Sequence, residues 1–158
     1  MINFVSGVGD HHKESVELAS AMTQGQWGYF SGINTAGNLK VTEVSTTTHG
    51  AYGRDKLCII SAAVLDAEGA DSTHEAIASG SMAIAVVGEG SGIIVEDDYL
   101  VTSTLSAADF SAMARGEVLY LNSEGYPTDD GASDYDGGST AIGEFLDYTN
   151  GIVRYRIY

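Results

Sequence analysis

The residues in this chain that metal or acid–base chemistry would use are four histidines, one cysteine and two close groups of acids. Asp10-His11-His12 is the densest of them. Adjacent residues on a strand point to opposite faces, His49 and His74 stand alone, and no His-x-x-x-His or Cys-x-x-Cys accompanies them, so they read as exposed polar residues and no metal centre is expected. DDGASDYDGG brings Asp129, Asp130, Asp134 and Asp136 into close order, as calcium loops do. Counting twelve positions from Asp130 reaches Ala141 and from Asp134 reaches Phe145, so the bidentate glutamate of an EF-hand is missing. GEGSGI has two glycines in dinucleotide-motif spacing, lacks the third, and runs into a strand-like segment instead of a helix. Cys58 lies within LCIISAAV, where a thiolate is disfavoured and the side chain packs as a small hydrophobe. Asp97-Asp98, next to Glu96, reads as a turn or a wetted strand. Trp27 has two readings: a platform for a sugar ring, or core filling beside Tyr29 and Phe30, and its place in the pattern below favours the core. Neither a cofactor nor a catalytic group is expected.

Around these residues lies a strongly acidic chain. Twenty-two Asp and Glu against seven Lys and Arg give a formal charge of -15, which disfavours nucleic acid and anionic membrane as partners. Between Arg115 and Arg154 no Lys or Arg occurs, so the segment 128–139 reads as a solvated acidic loop. A single cysteine excludes an internal disulfide. The start, MINFVSGVGDHHK, has neither a basic leader nor a long apolar block, and the expectation is a soluble chain without a standard export signal.

Abundant Gly, Ser and Thr, with short β-branched or aromatic runs between turn clusters, predict an all-β domain. The expected strands are GQWGYFSG, NLKVTEVS, KLCIISAAVLD, SMAIAVVG, GIIVEDDYLVTST, GEVLYLN and the C-terminal pair AIGEFLDYTNGIVRYRIY. In that pair Asn150-Gly151 supplies the two positive-φ positions of a type I′ turn, which sets Thr149 opposite Ile152, Tyr148 opposite Val153, Asp147 opposite Arg154 and Leu146 opposite Tyr155. Val153, Tyr155 and Ile157 then share one face, Arg154 and Arg156 the other. Short helical turns are expected as connectors in SAADFSAMAR and STHEAIASG, where Ser106/Asp109 and Ser72/Glu75 have capping-box spacing.

One phrase occurs twice: AMTQGQWGYFS at 21–31 and AMARGEVLYLN at 112–122. In each, a turn ending in glycine (Gly25, Gly116) launches a strand carrying Trp27 or Val118 and then Tyr29 or Tyr120; a later strand holds Leu-Asp (Leu65-Asp66, Leu146-Asp147), and a return strand follows. Trp27 and Tyr29 share a face. Two pseudo-repeated halves, about 15–90 and 91–158, would close as a barrel or a sandwich, each covering the apolar face the other cannot bury. Residues 1–14 form an N-terminal arm, with Ile2, Phe4 and Val5 before Gly7 and Gly9. This arm is suited to adding a strand to a neighbour's sheet, with His11 and His12 beside it, and equally to an edge strand of its own chain.

ARGEVLYLNSEGYPT, the acidic loop and TAIGEFLDYTNGIVRYRIY together resemble the C-terminal half of the small β-barrel head decoration (cement) proteins of tailed bacteriophages. Gly116, Glu117, Leu119, Tyr120 and Leu121 match one strand of that pattern, Gly125 a turn, Ile142 and Gly143 a third element, and Ile152, Val153, Tyr155 and Ile157 the last. The acidic insertion at 128–139 departs from it, and Val118-Leu119 leaves one strand's register open by one residue. The resemblance implies a non-enzymatic virion protein, synthesised in the host cytoplasm, that binds the major capsid protein on the outer capsid surface as a homotrimer. Another virion β domain, at a tail or fibre base, and a carbohydrate-binding module using Trp27 are the competing readings.

Overall fold

The structure is a computed structural model that describes residues 13–44, 57–63, 76–87, 92–97, 107–121, 124–129 and 141–158, together with the backbone of residues 2–5. It is all-β, with one short helix among the described residues. The strands are β1 (Ile2–Val5), β2 (Lys13–Leu18), β3 (Met22–Thr23), β4 (Trp27–Ile33), β5 (Leu39–Glu43), β6 (Leu57–Ala63), β7 (Ala76–Ile77) and β8 (Met82–Val87). They continue with β9 (Ile94–Asp97), helix α1 (Ala107–Ala112), β10 (Val118–Leu121), β11 (Pro127–Thr128), β12 (Ala141–Thr149) and β13 (Ile152–Ile157). β2, β5, β4, β6 and β8 close a barrel in that order, and β1, β9, β13, β12, β10 and β11 form an open six-stranded sheet.

The repeated phrase marks two five-stranded units built in one register. In the first, Trp27 and Gly28 of β4 face Ile59 and Cys58 of β6; in the second, Val118 and Leu119 of β10 face Glu144 and Gly143 of β12. Ile59, Ile60 and Ala62 then face Val86, Ala85 and Ile84, as Glu144, Phe145 and Asp147 face Arg156, Tyr155 and Arg154. β2 borders β8 as β9 borders β13, and β5 borders β4 as β11 borders β10.

The turn that launches each unit repeats the same backbone hydrogen bonds. Gly25 N–H donates to the Ile60 carbonyl at 2.7 Å and Gly116 N–H to the Phe145 carbonyl at 2.8 Å. Ile60 N–H returns to the Gln26 carbonyl at 3.0 Å and Phe145 N–H to the Glu117 carbonyl at 2.8 Å. The side chain after each glycine turns back onto the connector: Gln26 Oε1 accepts from Thr23 N–H and Glu117 Oε2 from Ala114 N–H, both at 2.9 Å. Both glycines sit at positive φ, 88° and 89°, where a Cβ is disfavoured. A bulge follows in each partner strand, between Ile60 and Ala62 and between Phe145 and Asp147.

The units differ at their edges. β5 is long enough to pair also with β2, in parallel, and this closes the barrel. Its counterpart β11 has two residues, one of them Pro127, which has no N–H for a ladder. The second unit therefore stays open, and β1 covers the edge of β9 that the first unit gives to its closing strand.

Each unit has one inner face, and the matched positions agree. The barrel interior holds Val16, Leu18, Val41, Cys58, Ile60, Ala83 and Ala85. Small residues are required there: a Cβ on Gly28 would lie 2.6 Å from Val41 Cγ1 and 2.8 Å from Met22 Cε. The corresponding inner face of the sheet, with Leu119, Phe145, Val153 and Tyr155, packs on the outside of the barrel wall through Trp27, Tyr29, Leu57, Ile59 and Val86. The sheet is thus filled by the barrel's outer wall.

Several expectations need correction. STHEAIASG gives β7, paired with β3, where a helical turn was expected; its first residues lie outside the described set. β2 begins at Lys13, so Lys13 and Glu14 belong to the barrel and not to an arm. Leu65-Asp66 lies outside the described residues, and the ladder matches Leu146-Asp147 with Ser61-Ala62 instead. The hairpin register holds from Thr149 to Asp147, after which Phe145, not Leu146, faces Tyr155. The bulge at Leu146 breaks the alternation, so that Phe145 and Leu146 are both buried.

Cys58 is fully buried, its Sγ 3.7 Å from the Gly28 carbonyl, and burial pushes its thiol well above the ordinary range. The native protein is expected to be inert to Ellman's reagent at neutral pH and to release one equivalent of thiol once unfolded in guanidinium. Rapid reaction of the native protein would contradict this packing.

Candidate functional site

The outer face of the six-stranded sheet carries a ladder of paired charges. Alternation along β13 turns Arg154 and Arg156 outward, and the register sets Arg154 between Asp147 on β12 and Glu96 on β9, with Arg156 opposite Glu144. Arg154 Nε donates to Glu96 Oε1 at 2.9 Å and its Nη1 to Asp147 Oδ2 at 3.4 Å; Arg156 Nη1 donates to Glu144 Oε1 at 2.8 Å. The bond to Glu96, then that to Asp147, raises the Arg154 pKa further. The Arg154 side chain is 49% exposed, so water and salt screen the pairs, which serve to orient guanidiniums more than to stabilise the fold.

Beside this ladder is a shallow depression of about 210 Å³, lined by Ile94, Glu96, Arg115, Leu146, Asp147, Arg154 and Arg156. Ile94 and Leu146 give it apolar contacts, and three guanidiniums surround them. Its chemistry is that of recognising a charged group. Among the described residues no three His, Cys, Asp or Glu converge as metal ligands. No described helix is long and apolar enough to cross a membrane.

The backbone of Ile2, Phe4 and Val5 forms β1 and pairs with β9 of its own chain, Ile2 with Asp97 and Val5 with Ile94, at the sheet's edge. This is the intrachain alternative for the N-terminal segment. His11, His12, His49, His74 and positions 130–139 of the acidic loop lie outside the described residues. Gly25 and Gly116 form the matching turns, Gly143 lies where β12 and β13 approach closely, and Asn150 and Gly151 have φ of 55° and 81°, as the type I′ turn requires. Tyr29 is buried and Tyr120 half-buried.

Trp27 is 2% exposed, and its Nε1–H donates to the Tyr155 hydroxyl at 3.4 Å, so its ring is core and offers no platform to a sugar. Asp97, read as wetted, is 1% exposed. It shares the inward face of β9 with Val95, at the position that Val16 fills in the first unit. Burial, and then the nearby Asp97 charge, push the Tyr155 phenol well above its ordinary range, partly offset by the bond from Trp27.

In the sequence Arg115 only bounds the stretch without Lys or Arg that runs to Arg154, and nothing there joins it with Arg154 and Arg156 in a site. No protein-family model matches the chain, and no curated protein matches it significantly.

Proposed function

We propose that the protein is a structural component of a virion: a decoration protein that binds the outer surface of an assembled tailed-phage capsid and stabilises it, as a homotrimer in contact with the major capsid protein. The observation that carries this reading is where the residues of the resemblance fall. Leu119, Tyr120, Leu121, Ile142, Gly143, Val153, Tyr155 and Ile157 lie on one continuous sheet, and that sheet ends in β1, whose outer edge has no strand beside it among the described residues. An open strand edge is the means by which β proteins recruit a neighbouring chain. On a shell of repeated subunits weak edge contacts add by avidity, and preference for the assembled shell stabilises it by linkage.

The test is co-sedimentation of the purified chain with mature capsids and, in parallel, retention on immobilised glycans. Saturable binding at a fixed ratio to shell subunits is expected. Retention by glycans with indifference to capsids would replace this reading with a carbohydrate-binding one.

A further inference from the structure

We propose that the depression on the sheet's outer face is a docking site for an acidic segment of a partner protein, with Arg115 as the receptor for its carboxylate. Three of the chain's seven basic residues line this one depression. Two of them are already engaged: Arg154 with Glu96 and Asp147, Arg156 with Glu144. Arg115 forms no hydrogen bond or ion pair among the described residues, and its five donors have the fork geometry that takes a carboxylate bidentately.

Its backbone is held in place. Gly116 N–H to the Phe145 carbonyl, Glu117 N–H to the Ala114 carbonyl, and Glu117 Oε2 on Ala114 N–H fix the turn that carries it. The duplicated architecture supplies an internal comparison. The matching residue of the first unit is Gln24, whose Nε2 donates to the carbonyl of Ser61, the bulge residue there. In the second unit the bulge residue is Leu146, which together with Arg115 lines the depression. One copy of the turn satisfies its own bulge, and the other presents a cation.

Size and charge narrow the occupant. At about 210 Å³ the depression is smaller than the roughly 300–1,000 Å³ of small-molecule pockets and matches one or two side chains. Ile94 and Leu146 suit an apolar residue next to the acid. Elsewhere a chain of charge -15 repels an acidic partner, and Glu96 and Asp147 repel a carboxylate on their side, which leaves Arg115 as the point of approach.

The experiment is fluorescence anisotropy of a labelled peptide of alternating Glu and Leu, with its Gln-for-Glu counterpart and a phosphoserine-for-Glu counterpart, on the full chain. Binding of the Glu peptide is expected at physiological salt, where screening beyond roughly 8 Å damps the repulsion from the chain's distant carboxylates more than the contact pair. Arg115→Ala should weaken it about tenfold and Arg115→Lys less, since an ammonium keeps the charge although it cannot make the bidentate pair. Arg115 is exposed and makes no bond among the described residues, so both variants should keep the native near-UV circular dichroism. Equal binding of the Gln peptide, no effect of Arg115→Ala, failure of the Glu peptide to bind, or retention of the phosphoserine peptide alone would each overturn the assignment. Capsid co-sedimentation is a separate measurement, so either proposal can fail without the other.

Discussion

Gly143→Ala is expected to cost about 3 kcal/mol or more of stability, measured as a lower urea midpoint with unchanged slope. A Cβ at this position would overlap the Arg156 carbonyl oxygen and lie 3.0 Å from the Arg156 carbonyl carbon and 3.3 Å from Ile157 Cα. All three are backbone atoms of β13, so no rotamer change makes room. β12 and β13 must separate at the two pairs farthest from their turn, Gly143 with Ile157 and Glu144 with Arg156, and the inner-face residues Tyr155 and Ile157 move with them. The control is Glu144→Ala, one residue along on the wet face, which loses one exposed ion pair and should change stability by no more than about 1 kcal/mol. Equal costs for the two variants would mean that the strands do not approach as closely as described.

The duplication was legible because its most distinctive element is local. Gly25 and Gly116, each before a residue that caps its own turn, stand directly ahead of an alternating strand, and both signals survive in the letters. The Asn150-Gly151 turn fixed three strand pairs for the same reason. What followed was not legible, since Phe145 and Leu146 are both apolar and nothing in their types says that one of them is an extra residue. β2 escaped because KESVEL opens with three exposed positions at the barrel rim, and β11 because two residues carry no periodicity. Asp97 was misread although the signal existed: it is in phase with Val95, and period-two counting from that buried valine turns it inward. The cluster around Arg115 had no sequence signal, since its three arginines meet only through the fold.

The two units also differ in how they end. The barrel presents Ile59 and Val86 on its outer wall, and the sheet's inner face covers them. At the matched positions on the outer wall of the sheet stand Glu144 and Arg156, paired with each other and wet. A third unit stacked in the same manner would have to desolvate that pair for no apolar gain. On the other side, the first unit's inner face is already closed on itself by β5. Closure at one end and charge at the other confine the stacking to two units, which a head-to-tail arrangement of identical open units would not do.

Trp27→Ala should therefore have an effect that is both large and uneven. The side chain belongs to the junction between the units, where the residue's backbone N–H donates to the Gly125 carbonyl at 2.8 Å, and it is absent from the barrel's interior cluster. Removing it costs about 3–5 kcal/mol as a large buried aromatic, and the void opens against the sheet's inner face beside Tyr155. The barrel keeps its own interior of Val16, Leu18, Val41, Ile60 and their neighbours. Native-state hydrogen exchange should accordingly speed up more for amides of β9, β12 and β13 than for those shared by β2, β5 and β8. Trp27→Phe, which retains most of the volume but removes the indole donor to Tyr155, should lie between the variant and the parent. Uniform acceleration across both units would show that the barrel has no stability apart from the sheet, and no acceleration would show that Trp27 does not join them.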